Sequence, residues 1–114
     1  MTRDDRNRLA RLAGLAALIR DQAQADLARH AQACAKTRHL LAEIDAPPMP
    51  EGDLSPMVVE SVLQRHRRWA APHKARLNAT LAQQTAEKLQ SESRLRAAFG
   101  RAQVLEQLVN RRRD

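Results

Sequence analysis

The chain has 114 residues and a formal charge of +7, with 20 Lys and Arg against 13 acids; only 2% of it is aromatic, one Trp, one Phe and no Tyr. That length allows one domain at most, and the shortage of large aromatics argues against a thick globular core. Good helix formers dominate and β-branched residues are scattered, so the expected fold is all-α.

No apolar run is long enough for a membrane span. Arg3, Asp4, Asp5, Arg6 and Arg8 precede the first leucine, which fits neither a secretory signal nor an organellar presequence. The lone Cys34 has no internal disulfide partner and suits a reducing compartment, with the cytosol as the default.

The first segment, residues 3–45, reads as a helix with Asp4 and Asp5 at its positive end. Its apolar or small series runs Leu9, Leu12, Ala16, Ile19, Ala23, Leu27, His30, Cys34, Thr37, Leu41 and Ile44. Spacings of three and four mark a coiled-coil seam, with a stutter at Ile19, Ala23 and Leu27 where two fours follow each other. Leu15 and Leu18 widen the apolar face beyond what one partner helix covers.

Residues 46–55 break the pattern. Pro47, Pro48, Pro50 and Pro56 surround Gly52, and each proline removes a donor and pushes its predecessor out of the helical region. Ser55 before Pro56 is a restart signal, because serine caps a helix and proline suits its first position.

The second helix is expected over residues 56–112. Val59, Val62, His66, Trp69, His73, Leu77 and Leu81 continue the seam, Leu89 anchors a polar middle, and Leu95, Phe99, Ala102, Leu105 or Glu106, and Val109 resume it. Pro72 frees the carbonyl of Arg68, so a kink is expected near Trp69 while the helix continues. The whole is expected to be two long antiparallel helices forming a coiled-coil hairpin in a single domain, with the C-terminal helix the longer.

A fold at the middle of residues 46–55 pairs Arg3 with Ala98 and His30 with Ala71. The last sixteen or so residues, roughly 24 Å of helix, would then lack an intramolecular partner. Phe99, Val104, Leu105, Leu108 and Val109 lie on or beside that overhang, and with Leu15 and Leu18 they make the end bearing the termini the expected docking end.

Charge follows position as well. Glu43, Asp45, Glu51, Asp53 and Glu60 make the turn acidic, while Arg65, Arg67, Arg68, Lys74 and Arg76 follow with no acid between them. Arginines gather again near both termini, which suits a rod with a different partner at each end.

No catalytic, cofactor or metal site is expected. His66 and His73 stand two turns apart, about 10 Å, without further ligand spacing, and Cys34 lacks the partners of a nucleophile. No phosphate-binding glycine loop is present. The runner-up is a basic helical nucleic-acid-binding or scaffold protein, since Arg65 to Arg76 and the arginine-rich ends suit phosphates. Against it, stacking aromatics are missing, no zinc-finger, RRM or helix-turn-helix pattern is present, and a basic region feeding a leucine zipper would need a stronger dimer seam.

Arg8-Leu9-Ala10-Arg11-Leu12 through Leu27 to Leu41-Ala42-Glu43-Ile44, with Ala98-Phe99-Gly100-Arg101 and Val104-Leu105-Glu106-Gln107-Leu108-Val109, resembles the FliJ family of flagellar export proteins and its YscO-type injectisome relatives. The resemblance covers nearly the whole chain; a shorter length, the proline-rich turn and Pro72 depart from it. It implies a non-enzymatic stalk or adaptor at the inner-membrane export apparatus, its termini end entering an export ATPase hexamer and its turn meeting an export-gate protein or escorted substrates. The residues then implied in partner binding are Leu12, Leu15, Leu18, Phe99, Leu105, Leu108, Arg111, Arg112 and Arg113, with Met49, Glu51, Asp53 and Leu54 as the tip contact.

Overall fold

The computed structural model of the chain describes residues 2–48 and 51–113. It contains two long helices, α1 over Arg3–Asp45 and α2 over Pro56–Arg113, of 43 and 58 residues. Among the described residues there is no strand.

Each helix begins with a side-chain cap. Thr2 Oγ1 accepts the Asp5 N–H at 3.2 Å while the Asp5 carboxylate accepts the Thr2 N–H at 3.4 Å, a reciprocal capping box. At α2, Ser55 Oγ accepts the Val58 N–H at 3.3 Å and the Ser55 carbonyl accepts from Val59 at 3.1 Å. In the connection, Gly52 holds φ at +93°, a conformation that a Cβ would strain, and its carbonyl accepts the Leu54 N–H at 3.1 Å. Past that connection, α2 runs through Pro72 without interruption.

Packing divides the chain into two units: residues 1–31 with 86–114, and residues 32–85. In the first, the terminal unit, the buried side chains are Ser91, Ala98 and Ala102. Leu9, Ala13, Ala16, Arg20, Ala23, Leu27 and His30 of α1 and Leu95, Leu105 and Val109 of α2 are half-buried. Small residues let two helix backbones approach toward about 8 Å, a distance that leaves little room for larger ones between them.

Leu12 and Ile19 are therefore not seam residues as expected: they are 52% and 56% exposed, and Ala13 and Arg20 take their places. With that substitution the three–four alternation in α1 runs unbroken, and the expected stutter disappears. Arg20 is half-buried there, and its guanidinium reaches the Asp21 carboxylate at 3.2 Å, so the charged head keeps a partner while the rest of the side chain is partly covered.

The expected register is also overturned. Arg6, Asn7, Leu9 and Ala10 line one hollow with Val109 and Arg112, and Ile19, Gln22, Ala23 and Asp26 line another with Ser93, Ala97 and Ala98. His30, expected beside Ala71, faces Glu87 at 3.8 Å. The final turns of α2 thus lie against the start of α1, and the bare terminal overhang does not exist.

The second, proline-side unit explains the slip. Ile44, near the end of α1, accepts a hydrogen bond on its carbonyl from His66 Nε2 at 2.8 Å, and Asp45 pairs with Lys74. The α1 terminus therefore faces α2 more than two turns past Pro56. The ten linking residues reach up to about 33 Å when extended, whereas ten helical residues advance only about 15 Å. A long link, rather than a tight turn, sets the register.

Cys34, Thr37 and Ala70 are buried in this unit. Trp69, expected in the seam, is 54% exposed, because the step from His66 is four residues and brings Ala70 inward. The polar stretch of α2 is closed by hydrogen bonds: Thr37 Oγ1 lies 2.6 Å from Gln84 Oε1 and 3.2 Å from the Ala33 carbonyl, and Thr85 Oγ1 donates to the Leu81 carbonyl at 2.7 Å. Among the described residues no buried side-chain polar atom lacks a partner.

Candidate partner-binding surfaces

The side chains that pack between the helices are small, so the large apolar ones are displaced to the outside. In the terminal unit Leu12, Leu15 and Leu18 are 52%, 57% and 65% exposed. They come from one side of α1, and Leu12 and Leu15 line a shallow hollow with Arg8 and Arg11. On α2, Phe99, Val104 and Leu108 are exposed as well. Arg96, Gly100, Arg101, Val104 and Leu105 line a hollow there, with Gly100 bringing no side chain to its floor. Each apolar patch is thus bordered by arginines.

The expected partner-binding residues divide as follows. Leu12, Leu15, Leu18, Phe99 and Leu108 are exposed, as are Arg111 and Arg112; Leu105 is half-buried and faces inward with Ala102 and Val109. The side chain of Arg113 lies outside the described residues. Val104, expected on the docking end, belongs to the exposed apolar set, and so does Ile19, which was missed as a site residue. Its signal was present in the sequence: taking Arg20 in place of Ile19 keeps the three–four alternation unbroken.

At the connection, Glu51, Asp53 and Leu54 are exposed, and Met49 lies outside the described residues. Met57 and Val58, in the first turn of α2, are 83% and 44% exposed and extend this apolar and acidic surface. Leu89, expected as an anchor, is instead 59% exposed; Ser91 takes the inward position.

The α1 terminus has no basic residue in its last turn, and side chains of α2 compensate it. Lys74 pairs with Asp45, and His66 binds the otherwise open Ile44 carbonyl. Sequence reasoning placed His66 and His73 at the seam, but the first one's role as a cap was visible only once the register was known.

Among the described residues, no group of three His, Cys, Asp or Glu side chains is gathered to hold a metal ion, and no helix is long and apolar enough to cross a membrane. The chain shows no significant match to any family model, curated protein or solved structure.

Proposed function

We propose that this chain is a non-enzymatic coiled-coil adaptor or stalk of a flagellar or type III export apparatus, binding an export ATPase through its terminal unit. In this reading the helices double back at the prolines as an antiparallel hairpin in one domain, and the longer second helix carries its surplus turns at the proline side. The order of the contacts supports that direction: Arg6 and Leu9 go with Val109 and Arg112, His30 with Glu87, Thr37 with Gln84, and Ile44 with His66.

One observation carries the functional reading, the exposed Leu12, Leu15 and Leu18 with Phe99, Val104 and Leu108 in the terminal unit. Without the bare overhang, the docking surface is the flank of the packed helices rather than a free end. Arg8, Arg11, Arg96 and Arg101 beside it suit an acidic rim on the partner. Glu51, Asp53 and Leu54 at the connection form the second contact, toward an export-gate protein.

The test is capture of a purified export ATPase hexamer by the full chain and by the Leu15→Asp, Leu108→Asp double variant. The wild-type chain is expected to retain the hexamer and the variant to lose it. No capture by the wild-type chain, or equal capture by both, overturns the proposal.

A further inference from the structure

The displacement of Trp69 from the seam leaves an arrangement that the adaptor reading does not use. Its indole is 54% exposed and lies between two histidine rings, with His66 at 5.8 Å and 39° and His73 at 4.6 Å and 43° between centroids and planes. The three rings form a short row along α2.

Positive charge surrounds this row unevenly. Arg67 is bound to Glu60 at 2.8 Å and Lys74 to Asp45, so two of the five cations of this stretch are neutralised. Arg65 and Arg68 make no ion pair with another described residue, and Arg76 reaches only the Pro72 carbonyl and His73 Nδ1, both at 3.4 Å. At 3.6 residues per turn, Arg65, Trp69, Pro72 and Arg76 share one side of the helix, with Arg68 at its border. Arg65 and Arg76 are then about 16 Å apart along the axis with the indole between them.

We propose that this face of α2 is a binding site for single-stranded nucleic acid. Unpaired bases stack on aromatic rings, while the flanking guanidinium groups bind phosphates on either side. A duplex keeps its base faces stacked internally and offers nothing to the indole. An anionic membrane needs a continuous apolar face, and here Arg65 stands between Val58 and Trp69 on the same side. The site shares no residue with the apolar patches of the terminal unit, so its fate and that of the adaptor reading are separate.

Trp69 is the only tryptophan of the chain and reports on its own site. The full chain is titrated, with emission recorded, with oligo-dT and oligo-U of about twelve nucleotides, a duplex of equal length, and phosphatidylglycerol vesicles. Saturable quenching by a single strand is expected, with a log K against log salt slope of about −2 for three phosphate contacts. Comparison of the two oligonucleotides identifies the preferred backbone.

With labelled oligonucleotide, Trp69→Leu and the Arg65→Ser, Arg68→Ser pair are each expected to weaken binding about tenfold. An equal loss of charge at Arg8→Ser, Arg11→Ser should leave it within about twofold if the site is local. Absence of quenching, equal response to duplex, a blue shift with vesicles alone, or unaltered binding by the Trp69 and arginine variants would overturn the proposal.

Discussion

The two units solve the same packing problem with different chemistry. In the terminal unit Ala98, Ala102 and Ser91 fill the contact, and leucines of both helices are turned outward. In the proline-side unit polar links cross between the helices, Thr37 to Gln84, His66 to the Ile44 carbonyl and Lys74 to Asp45, around Cys34 and Ala70. Close fit therefore specifies one register and directional bonds the other. Close fit has the additional consequence of leaving large apolar side chains exposed.

The sharpest way to break this contrast is to put bulk or charge into the alanine contact. Ala98→Asp buries a carboxylate without a partner and should cost about 3 kcal/mol or more in urea unfolding. Ala102→Leu should cost about 1–3 kcal/mol through overpacking. If either is tolerated as a surface change, the small-residue contact is misassigned.

The polar links predict a smaller and more specific effect. Thr37→Val removes the hydroxyl beside Gln84 and should cost about 1 kcal/mol; a double-mutant cycle with Gln84→Leu should show coupling of at least about 0.5 kcal/mol. Caps come next. Ser55→Ala and Thr2→Ala should each cost about 1 kcal/mol, measured by thermal unfolding, with the loss localised by amide exchange to the first turn of the respective helix. The smallest effect belongs to Leu89→Gln, within about 0.5 kcal/mol, since that side chain is 59% exposed.

Two long helices were legible because proline and capping chemistry is local: residues 46–55 cannot be helical, and Ser55-Pro56 announces the restart. The phase of the seam was harder. Ranking positions by hydrophobicity selected Leu12, Trp69 and Leu89, whereas close helix approach selected Ala13 and Ala70 beside the first two and Ser91 two positions from the third. Hydrophobic content and available space are different criteria, and in a thin two-helix contact space prevails.

Register was not legible for a related reason. A proline-rich link of ten residues permits several axial offsets, and the offset is fixed by contacts far apart in sequence, such as His66 with Ile44. The candidate surface was read in part: Leu12, Leu15 and Leu18 are exposed on α1, and Phe99 and Leu108 on α2, where the helix lies against the start of α1 instead of forming a free overhang. The aromatic and basic face around Trp69 was hidden by its assignment to the seam.

The central claim is that the outward leucines of the terminal unit serve a partner rather than the fold. The most direct measurement is the unfolding free energy of the Leu12→Gln, Leu15→Gln, Leu18→Gln variant beside its capture of the export ATPase hexamer. The account predicts a stability within about 1 kcal/mol of the parent and loss of capture. A stability loss as large as that of Ala98→Asp, or capture equal to the parent's, would contradict it.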